Sequence, residues 1–149
     1  MNSLPCDGAA VLDVLLVDDD HSDLASFGLA ANEAGGNIWL QTASSPGEAM
    51  EYLRSSGKYA DRKLHPIPDL VILDLHLEGM GGFGFLAWRM KSPRIAMMPL
   101  LVLSAPRDEG ATRRALRLKA DGYFPRPQCF EEWMALARMV WAVGMIHSR

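Results

Sequence analysis

Cysteine is scarce in this sequence, with only Cys6 and Cys129 among 149 residues. Two cysteines in a domain of this size do not make a disulfide scaffold, so the chain reads as cytoplasmic with free thiols. Strong net charge is also absent. The formal value is −3, which argues against a nucleic-acid footprint spread over the whole surface and leaves only a local basic patch open. No apolar run is long enough to span a membrane. The most apolar stretch, Trp133 to Ile146, is interrupted by Arg138 and falls short of the ~20 residues a spanning helix needs. Met1 to Val11 contains Asp7 and no Lys or Arg, so it lacks the charged start of a secretory signal. The 13 Gly and 9 Pro follow no period, which excludes a collagen-like or low-complexity chain. With 49% hydrophobic and 22% charged residues, the chain is not disordered. It suits one domain with a real core.

Three short runs are almost wholly apolar: Val14-Leu15-Leu16-Val17, Leu70-Val71-Ile72-Leu73 and Leu100-Leu101-Val102-Leu103. Bounded by Asp, Pro or Ser, they read as strands buried on both faces. Asn37 to Thr42 and Gly122 to Pro125 read as two further strands. Helical patterns lie between them. His21 to Ala34 ends at Gly35-Gly36, and Ser45-Pro46-Gly47-Glu48 is a capping box opening a helix that stops near Gly57. Gly82 to Lys91, Arg107 to Lys119 and Gln128 to His147 complete the set, and Ser55 to Pro68 reads as a long polar surface loop. Strand then helix, repeated five times, implies a parallel sheet with helices on both faces, joined by right-handed crossovers.

Residues with chemistry stand where strands end. The first strand runs into Asp18-Asp19-Asp20, the third ends in Asp74, the fourth in Ser104, and the fifth is followed by Arg126-Pro127. In open α/β sheets ligands bind outside the carboxyl ends of the strands. If the first and third strands are neighbours, Asp18, Asp19 and Asp74 converge there. Crowded carboxylates repel one another, and Mg²⁺ suits a site of few carboxylates plus waters. A metal-bound Asp can attack phosphorus as a nucleophile, while Arg126 and Ser104 supply positive charge and a hydroxyl for the phosphoryl oxygens. Each residue also has a plainer reading. Asp18 to Asp20 can be a solvated strand end and helix cap, Asp74 and Ser104 turn residues, and Arg126 a surface charge. The joint pattern is far more specific than any part.

Together these residues resemble a receiver domain of the bacterial two-component response regulators. The matching segments are Leu15 to Asp20, Pro68 to Leu75, Pro99 to Ala105 and Ala120 to Pro127, in the family's order and spacing. The resemblance implies a single domain over 1–149, with a core of about 11–147 and a short extension at 1–10. It implies the flavodoxin-like, doubly wound, five-stranded parallel sheet of order 2-1-3-4-5. Asp74 would accept a phosphoryl group from a phosphohistidine on a partner, a sensor histidine kinase or phosphotransfer protein. Asp19 would bind Mg²⁺ directly, Asp18 mainly through water, and the backbone carbonyl of His76 would add a ligand. The His76 side chain would sit near the phosphoryl group. Ser104 would bind a phosphoryl oxygen and Tyr123 would turn inward as Ser104 moves. Without the resemblance, Tyr123 reads as a strand-edge aromatic half packed on the last helix.

Three features depart from the family. Arg126 stands where Lys is usual, and its planar fork does not mimic a compact ammonium. Glu78 stands at a place that is often Pro, and Gly81 at one that is often Asp. With Gly79, Gly82 and Gly84 they predict a mobile glycine-rich loop after Asp74. The family usually has a cis peptide bond before the residue matching Pro127, so Arg126–Pro127 is expected to be cis. The segment Tyr52 to Ala60 resembles small stand-alone receivers, including those paired with phytochrome kinases.

The chain ends near the end of the receiver fold, so the expected output is a protein contact or phosphoryl relay, with no nucleic acid and no membrane. The last helix carries more apolar residues, from Phe130 to Ile146, than one packed face needs. The surplus predicts an exposed apolar patch and a homodimer, with C2 as the default symmetry. Arg107, Arg113, Arg114 and Arg117 on the neighbouring helix, with Asp108, Glu109 and Asp121 nearby, pair across that interface or form a solvated face. Three functions compete. The first is a phosphorylatable switch rather than a turnover enzyme. The second is a degenerate receiver that binds partners without phosphate, favoured by Arg126 and the altered loop. The third is a small phosphatase of the haloacid dehalogenase type, suggested by Asp18-x-Asp20-x-Ser22. The third lacks the Lys and the later acidic pair that family needs.

Overall fold

The computed structural model describes residues 10–77, 81–105 and 108–147. The expected extension, Glu78, Gly79, Cys6 and Arg107 therefore lie outside the described residues. Five strands form one sheet: β1 (Leu12–Val17), β2 (Ile38–Ala43), β3 (Leu70–Asp74), β4 (Leu100–Ser104) and β5 (Gly122–Pro125). All neighbours pair in parallel, in the order β2-β1-β3-β4-β5. The helices are α1 (His21–Glu33), α2 (Pro46–Arg54), α3 (Gly81–Arg89), α4 (Pro93–Ala96), α5 (Glu109–Arg117) and α6 (Phe130–His147). The fold is doubly wound and flavodoxin-like, with β1, β3 and β4 buried on both faces and the edge strands β2 and β5 only partly so.

Alternation along each strand divides the core in two. Leu15, Val17, Val71, Leu73 and Val102 pack with α2, α3 and α5 through Met50, Leu53, Phe85, Leu86 and Ala115. Their sequence neighbours Leu16, Leu70, Ile72, Leu101 and Leu103 pack with α1 and α6 through Phe27, Ala30, Trp133, Leu136 and Val140. Each of the Leu, Val, Ile, Met and Phe side chains among them contributes about 1.5–3 kcal/mol on leaving water.

The local signals act largely as read. Glu48 N–H donates to Ser45 Oγ at 3.1 Å, but Glu48 Oε1 accepts from Ser44 N at 2.7 Å, one residue earlier than a strict capping box. The Ser55 to Pro68 loop is less superficial than expected. It holds one 3₁₀ turn, Gly57–Tyr59, and buries Tyr59 beside Tyr52 and His65. Tyr52 Oη donates to Pro66 O at 2.9 Å, which pins the loop. The one-turn α4 was not anticipated; Ser92-Pro93, read only as a stop for α3, also starts a new turn with Pro at its first position. Arg89, at the end of α3, is buried and donates to Met98 O at 2.8 Å and Lys119 O at 3.2 Å, with Asp121 at 3.6 Å.

Three expectations are corrected. The peptide bond between Arg126 and Pro127 is trans, as is every other among the described residues. Gly82 and Gly84 lie in α3, as the helical pattern from Gly82 to Lys91 indicates, and with Gly81 they belong to the helix start rather than to the expected glycine-rich loop. The surplus apolar residues of α6 are mostly absorbed within the chain: Met134, Met139, Trp141 and Val143 pack on the α1-side core. Trp141 lies against Gly36, where an added Cβ would come within 2.7 Å of its ring. Phe130 at 42% and Ile146 at 79% exposure remain open, and 16 residues of helix separate them by about 24 Å. They form no single patch. No helix among the described residues is long and apolar enough to cross a membrane.

Candidate functional site at the carboxyl edge of the sheet

Because β1 and β3 are adjacent and in register, Val17 opposite Leu73, the residues that follow them emerge side by side. Asp18 and Asp74 are buried and Asp19 is exposed; their carboxylate oxygens come within 4.8 Å of one another. Asp20, the third acid of the run, is spent locally. It caps α1, accepting from Ser22 N at 2.9 Å, Ser22 Oγ at 2.8 Å and Asp23 N at 3.4 Å. Those bonds hold its carboxyl below the usual carboxylate range.

Arg126 reaches into this cluster from the end of β5. Its Nη1 lies 2.9 Å from Asp74 Oδ1, and its Nη2 lies 2.5 Å from Asp23 Oδ2 and 3.7 Å from Asp18 Oδ1. Burial opposes its charge, but the bond to Asp74 and the fields of Asp74, Asp23 and Asp18 outweigh it and raise the guanidinium pKa. The backbone fixes the base of that arm, since Arg126 N donates to Ser104 O at 2.8 Å.

Asp74 Oδ1 takes Arg126 and, at 3.1 Å, the backbone N–H of His76. Asp74 Oδ2 has no hydrogen bond among the described residues. Asp18 Oδ1 accepts from Asp20 N at 2.9 Å, while its buried Oδ2 has no hydrogen-bond partner among the described residues. Burial, then the charges of Asp74 and Asp23, push the Asp18 carboxyl up, only partly opposed by the Asp20 bond. A buried carboxylate oxygen without a donor, beside two more carboxylates, is a donor set that fits a hard divalent cation such as Mg²⁺.

Ser104 is buried at the end of β4, with its Oγ 3.2 Å from Thr112 Oγ1. Thr112 in turn donates to Asp108 O at 3.1 Å. Tyr123 points outward and is 51% exposed. A cleft of about 370 Å³ lies between them, lined by Ser104, Thr112, Tyr123 and Pro125. The His76 side chain is exposed at the rim.

Asp18, Asp19, Asp74, His76, Ser104 and Arg126 thus lie together at the carboxyl edge of the sheet, with Tyr123 beside Ser104. Two others have roles at the site that the sequence pattern does not assign. Asp23, in the first turn of α1, is an equal partner of Arg126. The signal was available, because an acid in the first turn of a helix that follows β1 faces the same edge. Gly82 sits against the backbone behind Asp74; an added Cβ would lie 2.7 Å from Leu75 Cα and 3.0 Å from Asp74 O. Gly81, with φ of 73°, makes the entry into that contact.

The comparisons with known proteins agree with this geometry. Residues 14–138 match the response regulator receiver domain family. The chain is 28% identical over 123 residues to the DNA-binding transcriptional regulator NtrC of Escherichia coli, covering 83% of this chain but 23% of that regulator's length. Among solved structures it resembles the phosphorylated cyanobacterial phytochrome response regulator RcpA. The TM-score is 0.78 at 26% identity, over 89% of this chain and 95% of that one. It also resembles the bacteriophytochrome response regulator AtBRR, with a TM-score of 0.72 at 25% identity over 90% of this chain and 94% of that one. With that match spanning most of the sequence, the chain belongs to the response regulator receiver domain family.

Proposed function

We propose that this protein is a phosphorylation-dependent switch whose acceptor is Asp74. The observation that carries this is the carboxylate itself. It is buried, with Asp18 and Asp19 within 4.8 Å and a guanidinium at 2.9 Å. With Oδ1 occupied by Arg126 and His76 N–H, Oδ2 is the free nucleophile. It attacks phosphorus in a phosphohistidine, a P–O bond forms, the P–N bond breaks, and its electron pair stays on the imidazole nitrogen. Asp18, Asp19, Asp74 and the His76 carbonyl would hold Mg²⁺, which supplies positive charge against the phosphoryl oxygens. Arg126 leaves part of its carboxylate contacts to face the new phosphoryl group. Ser104 exchanges Thr112 for a phosphoryl oxygen, and Tyr123 turns into the cleft beside it.

The donor in this reading is a sensor histidine kinase or phosphotransfer protein. The likeness to phytochrome response regulators favours a kinase of that type. The response is a change of protein contacts at the α5–β5 edge rather than catalytic turnover. A second copy docking along α6 has Phe130 and Ile146 to offer, and sedimentation of the phosphorylated and unphosphorylated protein measures that homodimer.

Intact-protein mass after incubation with Mg²⁺ and acetyl phosphate tests the acceptor, beside Asp74→Asn. One base-labile phosphoryl adduct on the wild type alone is the expected result. One observation favours a second reading, a phosphate-independent interaction module: Arg126 already fills the acidic pocket, bonded to Asp23 and Asp74. No adduct, together with no beryllofluoride binding, selects that module.

A further inference from the structure

A second cavity, of about 740 Å³, lies at the opposite end of the sheet. Its walls are the end of α2, the loop entering β3 and the α4 segment entering β4. Pro68 lines it, and β3 then runs to Asp74, so six residues of extended chain put it about 20 Å from the acidic site.

Its lining has two parts. Leu53, Ile67, Ile95 and Met98 form an apolar floor, and three guanidinium groups, Arg54, Arg62 and Arg94, stand around it. Among the described residues no acidic side chain lines the cavity, although the chain as a whole is acidic at −3. Two of the arginines are held in place. Arg54 stacks 5.1 Å from the Trp88 ring centre, and Arg62 donates to His65 O at 3.0 Å and Leu53 O at 3.2 Å. Those bonds use two of the five N–H donors of Arg62 and leave the rest free. Burial lowers the Arg62 pKa and the like charge of Arg94 adds to that, partly offset by Tyr52. Arg94 has no anionic partner among the described residues. At the rim, Met97 is 84% exposed, and a methionine is an adaptable apolar contact.

We infer that this cavity is a docking site for an acidic peptide segment of a partner protein, one that seats an apolar side chain among Ile67, Ile95 and Met98 with carboxylates facing Arg54, Arg62 and Arg94. Three like charges around an apolar floor favour a ligand that is both anionic and apolar. Carboxylates meet guanidinium groups in charge-assisted, often bidentate, hydrogen bonds. Arginines already held by Trp88 and by backbone carbonyls lose little freedom on binding. Among the described residues the lining offers no aromatic face for a base to stack on, which removes the main device of single-stranded nucleic-acid binding. The site is separate from the phosphoryl chemistry, so a partner held there stays bound in both states of the switch.

The test uses the full chain and three fluorescein-labelled hexapeptides, followed by anisotropy and by amide chemical-shift mapping. The peptides are Glu-Asp-Leu-Leu-Asp-Glu, its charge-reversed form Lys-Lys-Leu-Leu-Lys-Lys and the leucine-free Glu-Asp-Ser-Ser-Asp-Glu. The first is expected to bind, with shifts centred on Ile67, Ile95 and Met98, and the other two to bind about tenfold or more weakly. Arg94→Glu, on an exposed side chain, weakens the first peptide about tenfold or more. Met97→Asp, also exposed, does the same by adding a like charge at the rim, and Asp74→Asn leaves binding unchanged. The inference is overturned by equal binding of all three peptides, by shifts centred elsewhere, by full affinity in Arg94→Glu and Met97→Asp, or by no binding of the first peptide. Self-association that buries the cavity overturns it as well.

Discussion

Replacing Arg126 with Ala tests the electrostatics of the acidic edge most directly. The guanidinium faces Asp74 at 2.9 Å, Asp23 at 2.5 Å and Asp18 at 3.7 Å. At such separations, with an effective dielectric near 20, the pairs are worth about 4–7 kcal/mol each before desolvation. Removing one member of a buried pair costs about 3–5 kcal/mol, because the remaining charge is left uncompensated. Arg126 is 24% exposed while Asp18 and Asp74 are at 0% and 1%, so we take the lower end, about 3 kcal/mol. For a chain of this length that lowers Tm by about 6–12 °C. The assay is thermal unfolding in EDTA and again in 10 mM Mg²⁺. In EDTA the variant unfolds well below the wild type. In Mg²⁺ the gap narrows, because in the wild type the metal and the guanidinium compete for the same carboxylates, and in the variant they do not. An Arg126→Ala Tm within a degree of the wild type in EDTA refutes the reasoning. So does an equal Mg²⁺-induced rise in the two proteins.

Three further outcomes are expected. Gly82→Ala forces its new Cβ against Leu75 and the Asp74 carbonyl, so overpacking costs about 1–3 kcal/mol; calorimetry reads that loss, and weakened beryllofluoride binding reads the displaced Asp74. Asp13 carries a carboxyl raised by burial, then by the charge of Asp69, to about 6 from 3.8, a difference worth about 3 kcal/mol that screening at this partly exposed site reduces to about 1–2 kcal/mol. The folded state binds the Asp13 proton more tightly than the unfolded state, so this group costs stability as pH rises from about 4 to about 6. Asp13→Asn therefore stabilises the fold above pH 6, and chemical denaturation shows the gain vanishing below about pH 4. Arg89→Ala orphans the carbonyls of Met98 and Lys119, leaves a cavity and removes the ion partner of Asp121, whose carboxylate keeps its bond from Leu100 N, for a loss of about 3 kcal/mol or more measured by denaturant unfolding; a loss under 1 kcal/mol would show that the buried guanidinium is dispensable.

Much of the molecule can be read along the chain because the relevant physics is local. Runs such as Leu70-Val71-Ile72-Leu73 are apolar at every position, which only a strand covered on both faces tolerates, and β5 falls at Gly122–Pro125 as the pattern indicates. Asp18, Asp19, Asp74, Ser104 and Arg126 are recognisable for a related reason. Parallel strands deliver their C-terminal residues to one edge, so position after a strand stands in for position in space. Local signals fail where a second element competes. The surplus on α6 looks like an interface until Phe27 at 6.2 Å from Trp133 and Gly36 beneath Trp141 are seen to absorb it.

Contacts that join distant segments required the tertiary structure. Asp23 and Arg126 stand 103 residues apart, and no spacing rule links them. The fit of Gly82 against Leu75 depends on how closely α3 approaches β3, to a fraction of an ångström. Arg54, Arg62 and Arg94 are scattered surface charges along the chain. Only the crossovers that place α2, the long loop and α4 at the starts of β3 and β4 gather them around one cavity. The sequence by itself determined the five parallel strands and the acidic residues at their ends, since those follow from periodicity and chain direction, while the strand order came from the family resemblance and is realised in the tertiary structure. The pairing of Arg126 with Asp23, the close approach at Gly82 and the arginine-rimmed cavity came from packing, which depends on distances that no local pattern encodes.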